Sequence, residues 1–236
     1  MRDERIGWNI DKIKQAVFAL CAKAGRNPRE ITIVAVTKGR TVEQIREVIA
    51  QDLADIGENR IQEALIKYDT IPAARYAPRL KWHMIGHLQT NKVIEAVRLF
   101  DLIQSVDSVR LAEAVSKEAG KINKHQDILL EVKTSPEESK FGLKPEDTLA
   151  VFHKISQLPH LNIKGLMTIA PLADNPKTSR PYFRTLRELS NKIEWRPETS
   201  DHRPILSMGM SDDFAVAIEE GANMVRLGRA IFESQE

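Results

Sequence analysis

Apolar residues recur every three or four positions at the start of the chain: Ile6, Ile10, Ile13, Val17 and Leu20. That spacing predicts one apolar face of a helix. Gly25 and Pro28 then break the pattern. It changes character at ITIVAV, residues 31–36. A β-branched apolar run without alternation suits a strand covered on both faces. Residues 41–50 return to helical spacing, with Ile45, Val48 and Ile49 apolar. The pairing then repeats. Further strands are expected at 53–57, 81–86, 101–107, 127–133, 162–169, 204–209 and 224–228. Helices are expected between them at 59–67, 90–98, 108–119, 146–157, 178–193 and 212–220.

Eight strands alternate with helices, and the first helix can take the place of one missing after the last strand. This order predicts an α/β fold, a single (β/α)8 TIM barrel with an extra N-terminal helix. An open doubly wound sheet is the alternative. No linker interrupts residues 1–236, so one domain is expected; PLADNPKTSRP (171–181) is short enough for a strand-to-helix loop.

Composition narrows the function classes. The 236 residues are 42% hydrophobic and 29% charged, enough for a core without metals or disulfides. The single cysteine, Cys21, excludes an internal disulfide and a thiolate metal cluster. No apolar run reaches the roughly 20 residues of a membrane span, and MRDERIGWNIDKIK lacks a signal-peptide core. A cytoplasmic protein is expected. Lys plus Arg is 35 and Asp plus Glu is 33, with the signs interspersed. That balance offers no basic stripe for nucleic acid. The six histidines are scattered and form no HExxH pattern.

In a barrel, chemistry sits at the C-terminal ends of the strands. Lys38 follows the first strand. Partial burial there lowers an amine's pKa and lets it form a Schiff base with a carbonyl. A lysine reaching to solvent from a strand end is the plainer alternative. The loops after strands seven and eight read Ser207-Met208-Gly209-Met210-Ser211 and Gly228-Arg229. In barrels these loops often hold a phosphate, helped by glycine and the following helix start. Ser211 is a candidate N-cap. Asp212 and Asp213 suit a first helical turn but would repel a phosphate they faced. A Schiff-base lysine with a phosphate cradle implies pyridoxal 5′-phosphate (PLP). Arg226 lies two residues before Gly228 and faces the mouth by strand alternation. An arginine at the pyridine nitrogen keeps its proton, leaving the cofactor a weak electron sink. A buried salt bridge from Arg226 to Glu131 is the alternative.

The stretches VAVTKGR (34–40), DIGENRIQEA (55–64), WHMIGHLQTNK (82–92), QSVDS (104–108), SKFG (139–142), GLMTIAP (165–171), LSMGMSDD (206–213) and MVRLGRAIFE (224–233) occur in family order across nearly the whole chain. Together they resemble the pyridoxal phosphate homeostasis protein family, relatives of the alanine racemase N-terminal barrel. The resemblance implies that barrel type and PLP held as an internal aldimine on Lys38. It implies phosphate contacts from Ser207, the amides near Met208 and Gly209, and Gly228 with Arg229. It puts Arg226 at the pyridine nitrogen, with Asn59, His83 and Met84 lining or supporting the cofactor's face. His87 is weighed as a structural group, like Asn91 and Lys92. Family members often have serine and threonine where this chain has Thr37 and Gly39, and threonine or alanine where it has Arg229.

A racemase needs acid/base groups on both faces of the substrate carbon. Of Tyr68, Tyr76 and Tyr182, only Tyr182 is near a strand-end loop. The resemblance implies a PLP carrier in vitamin B6 and amino-acid homeostasis, expected to be a monomer whose partners are PLP and recipient apo-enzymes. A low-activity amino-acid racemase and a PLP-responsive interaction protein are the alternatives. Lys133 and Lys140 are candidate second amines that could help move the aldehyde off Lys38.

Overall fold

The computed structural model describes residues 4–71, 80–137, 141–195 and 203–234. Eight parallel strands close into a barrel in sequence order: β1 (Thr32–Val36), β2 (Asp55–Glu58), β3 (Lys81–Met84), β4 (Leu102–Val106), β5 (Gln126–Glu131), β6 (Leu161–Met167), β7 (Ile205–Ser207) and β8 (Met224–Leu227). Closure is made by β1 against β8, with Thr32 opposite Met224 and Ala35 opposite Leu227. That pairing rules out the open sheet.

The described helices are α1 (Glu4–Lys23), α2 (Val42–Ala50), α3 (Ile61–Thr70), α4 (Val93–Leu99), α5 (Val109–Lys121), α6 (Thr148–Ile155), α7 (Arg180–Lys192), α8 (Phe214–Glu219) and α9 (Arg229–Phe232). Several begin where the sequence supplies a cap. Thr41 and Gln44 form a capping box at α2, and the Ser108 hydroxyl accepts from Leu111 N at α5. Short 3-10 turns precede α4, α6 and α7.

Strand alternation sorts the side chains into two cores. Ile33, Ala35, Ile56, Ile103, Ile128, Leu130, Leu166, Leu206 and Val225 face the helices. Val34, Leu102, Leu129, Met167 and Met224 fill the barrel interior. The outer core reads as continuous apolar runs because each strand is covered on both sides.

A one-turn helix, α9, does follow the last strand. It is too short to cover the β8–β1 seam, and α1 supplies the missing layer. Ile6, Ile10, Ile13, Val17 and Cys21 are buried along one face of α1. Asn9 Nδ2 donates to the carbonyls of Ile231 and Glu233, each at 2.9 Å. Among the described residues, no helix is long and apolar enough to cross a membrane.

Candidate functional site

Lys38 stands exposed, two residues beyond the end of β1. Its neighbours are held firmly. Thr37 N donates to Gly57 O at 3.0 Å. The Thr37 hydroxyl donates to Glu58 Oε1 at 2.5 Å, and Lys67 Nζ donates to Thr37 O at 2.7 Å and to Glu58 Oε1 at 2.6 Å. Burial pushes the Glu58 carboxyl up, against the pull of the Lys67 and Thr37 hydrogen bonds. After Lys38, Gly39 turns the chain with φ of +69° and donates its N–H to Glu63 Oε2 at 3.1 Å. Sequence reasoning passed over Glu58, Glu63 and Lys67. The i,i+4 spacing of Glu63 and Lys67 was the available signal.

A file of polar side chains crosses the barrel interior. The buried Arg226 guanidinium donates from Nη1 to Ser207 Oγ at 2.6 Å and from Nη2 to the Thr168 carbonyl at 2.9 Å. Ser207 Oγ donates to Gln104 Oε1 at 2.6 Å. Gln104 Nε2 lies 2.9 Å from His83 Nδ1 and 3.2 Å from Met224 Sδ. His83 Nε2 meets Asp55 Oδ1 at 2.9 Å. Burial lowers Arg226 to about 10, partly offset by Glu131 and Asp213, so it stays cationic at neutral pH. Its direct partners are Ser207 and Thr168 rather than the Glu131 carboxylate. Glu131 is pushed up to about 7, first by burial and then by Asp107, with Arg226 opposing.

The loops after β7 and β8 are tied to each other. Gly209 has φ of +94°, and a Cβ there would lie 2.6 Å from Ala217 Cβ. Gly209 O accepts from Arg226 N at 3.0 Å. Both aspartates that threatened an anion site are engaged. Asp213 Oδ1 accepts from Met210 N at 2.7 Å, and Asp212 pairs with the Arg229 guanidinium. Ser211 is not the cap of α8. Its hydroxyl accepts from Ala230 N at 3.1 Å, while α8 begins at Phe214 after Asp213. Gly228 immediately precedes α9, whose first N–H groups have no intrahelical acceptor.

The remaining expected residues divide between the two sides of the strands. Asn59 shares inward register with Gly57, and its Oδ1 is buried without a partner among the described residues. Met84 and Met208 are buried in the outer core, so neither side chain lines the mouth. The Met208 N–H is also committed, to Met224 O at 3.1 Å. Ser207 likewise has its hydroxyl proton committed to Gln104, and its oxygen accepts from Arg226 Nη1. His83 is only 2% exposed, inside the barrel and below the mouth. His87 Nδ1 lies 3.3 Å from Asp107 Oδ2, with its ring stacked on Phe141. Asn91 and Lys92 lie in the 3-10 turn before α4. Lys133 N donates to Leu143 O. Tyr182 packs on the outer core and Tyr68 lies edge-on to Trp82. Tyr76 and Lys140 lie outside the described residues. A cavity of about 310 Å³ lined by Phe152, Asn162, Trp195 and Ile205 lies at the starts of β6 and β7, away from this chemistry.

Comparison with known proteins gives a consistent result. A family model described as alanine racemase, N-terminal domain, matches residues 8–235. The pyridoxal phosphate homeostasis protein of Aquifex aeolicus is 42% identical, covering 97% of this chain and 96% of its own. A crystal structure of an unknown protein from Bifidobacterium adolescentis superposes with a TM-score of 0.90 at 34% identity, covering 98% of this chain and 97% of that one. PipY of Synechococcus elongatus, solved with PLP bound, superposes with a TM-score of 0.77 at 34% identity, covering 92% and 99%.

Proposed function

The chain belongs to the pyridoxal phosphate homeostasis protein family, and from that premise we propose that it holds PLP reversibly on Lys38 and buffers the cofactor without substantial turnover. The observation that carries the reading is the convergence of Lys38, Asn59, Arg226, Gly209 and Gly228 on one end of one barrel. The fit to the cofactor is supported by groups with bonding capacity to spare. Asn59 Oδ1 is a buried acceptor lacking a donor among the described residues. Arg226 spends two of its five N–H groups on Ser207 and Thr168. Gly209 and Gly228 bring bare backbone to the mouth, and Arg229 neutralises Asp212 beside it.

Bound here, the cofactor supplies an aldehyde that condenses reversibly with a primary amine. Lys38 supplies that amine at an accessible strand end, held in place by the Thr37, Glu58 and Lys67 bonds. Arg226 gives the ring nitrogen a hydrogen bond and keeps its own proton, which favours holding over carbanion chemistry. The backbone around Gly209, Gly228 and Arg229 receives the phosphate. Tyr68 lies edge-on to Trp82 and Tyr182 packs against the outer core, which favours the carrier over a racemase that uses either tyrosine as its second acid/base group. Cytoplasmic residence, a monomeric state and delivery of PLP to apo-enzymes belong to the same proposal.

The test is an absorbance spectrum with added PLP, followed by borohydride reduction and peptide mapping. A visible band abolished by borohydride, with the pyridoxyl group on Lys38 and no label in Lys38→Ala, is the expected result. No band at excess PLP would overturn the cofactor assignment. Steady racemisation of an amino acid that disappears in Lys38→Ala would replace the carrier with the enzyme.

A further inference from the structure

We propose that Gln104 is the positioning residue of this site. It sits in a one-way hydrogen-bond chain that fixes the Arg226 guanidinium at the mouth and anchors it, through His83, to Asp55 at the opposite end of the barrel. The proposal rests on the PLP reading for what Arg226 faces, but the chain itself is a property of the unliganded protein.

The direction of every bond follows from what each group can do. Arginine only donates, so Ser207 Oγ accepts from it. Ser207 has one proton, and it goes to Gln104 Oε1. The Gln104 NH₂ therefore faces the other way, toward His83 Nδ1 and Met224 Sδ. The thioether has no proton to give, so Met224 independently identifies that end of the amide as the donor. His83 Nδ1 must then be bare, with its proton on Nε2 directed at Asp55 Oδ1. Each step hands a proton in the same direction, from the cation Arg226 to the carboxylate Asp55.

Burial makes the order consequential. Gln104 and Ser207 are fully buried, His83 is 2% exposed and Arg226 is 3% exposed. An unmatched donor or acceptor here costs its full desolvation, whereas a satisfied chain holds one arrangement. An apolar side chain at position 104 would strand both the Ser207 hydroxyl and His83 Nδ1. Ser207 could then turn, and the guanidinium would lose one of its two fixed contacts. Turning the Gln104 amide over would set Oε1 against His83 Nδ1, an arrangement open only to a ring that carries a proton on Nδ1.

Two measurements test this. The first needs no cofactor: ¹⁵N NMR of the histidine rings in unliganded protein. His83, assigned by a His83→Asn control, should show a bare Nδ1 and a protonated Nε2. In Gln104→Glu, which offers acceptors on both sides, His83 should become doubly protonated. A wild-type His83 carrying its proton on Nδ1 would overturn the chain. The second measures the PLP dissociation constant in a double-mutant cycle. Gln104→Met should weaken binding about tenfold, the worth of one loosened charge-assisted hydrogen bond. It should have no further effect in an Arg226→Gln background. An equal loss in both backgrounds, or none in either, would overturn the positioning role. Should Gln104→Met fail to fold, Gln104→Asn, too short to span Ser207 and His83 together, takes its place in the cycle, with the same criterion. Borohydride labelling of wild-type Lys38 separates the two ideas: its failure removes the PLP reading, while the tautomer result stands or falls by itself.

Discussion

Glu131 is the residue whose charge should govern stability near neutral pH. Its folded-state pKa is raised from 4.5 to about 7, first by burial and then by Asp107. The folded protein therefore keeps this proton at pH values where the unfolded chain has released it. Stability attributable to Glu131 falls as pH rises from about 4.5 to about 7, and stays low above that. The full effect is roughly 3 kcal/mol. Urea unfolding at several pH values should show Glu131→Gln gaining on wild type across that window; parallel curves would refute the assignment. The residues at strand ends were the legible part of the proposed site. Lys38, Arg226 and Gly228 announce themselves by following or ending apolar runs, and alternation gives their facing. Gln104 was not legible, because a single glutamine inside DLIQSVD says nothing about the partners that three other strands bring to it. Met84 and Met208 turn their side chains to the outer core, a facing that motif membership alone does not reveal.

At the scale of elements, β2 and β3 end in mutual contact. A Cβ on Gly86 would lie 2.4 Å from Asn59 O, a backbone atom that cannot swing aside. Gly86→Ala should therefore push the end of β2 outward, costing about 1–3 kcal/mol of stability. PLP binding should weaken as well, because Asn59 moves with that backbone. Thermal unfolding and a PLP titration check this; unaltered binding would mean Asn59 has no part in the site. The strands themselves were readable because two-sided burial writes each as a β-branched run. Their ends were less so. The expected strand 204–209 shortens to Ile205–Ser207 because Met208 and Gly209 leave the sheet's regular pairing. The helix expected at 212 begins at Phe214 because Ser211 caps nothing there and instead binds Ala230 across to the next loop.

On the scale of the molecule, the outer ring is completed by its first helix. Asn9 holds two carbonyls of the segment that follows Gly228 and Arg229. Asn9→Ala should leave the buried Ile231 carbonyl and the half-buried Glu233 carbonyl short of a partner and cost about 2 kcal/mol. The melting temperature should drop by roughly 4–8 °C, and an unchanged melt would contradict the anchoring role. The alternation of strands and helices made the barrel readable, but not its closure. Only the β1–β8 register distinguishes a ring from an open sheet, and register between segments so far apart leaves no local mark in the sequence.

That register also sets a timetable. A ribosome releases Thr32–Val36 and Lys38 early, and their partners Met224–Leu227 only after most of the other strands have emerged. Until then β1 has a neighbour on one side alone, and Arg226 and Gly228, which stand beside it on the adjoining strand, do not yet exist. The growing chain consequently carries Lys38 without the strand that completes the barrel end beside it. On the proposed function, cofactor capture has to wait for the ring to shut, an event in the life of the finished protein and not of its synthesis.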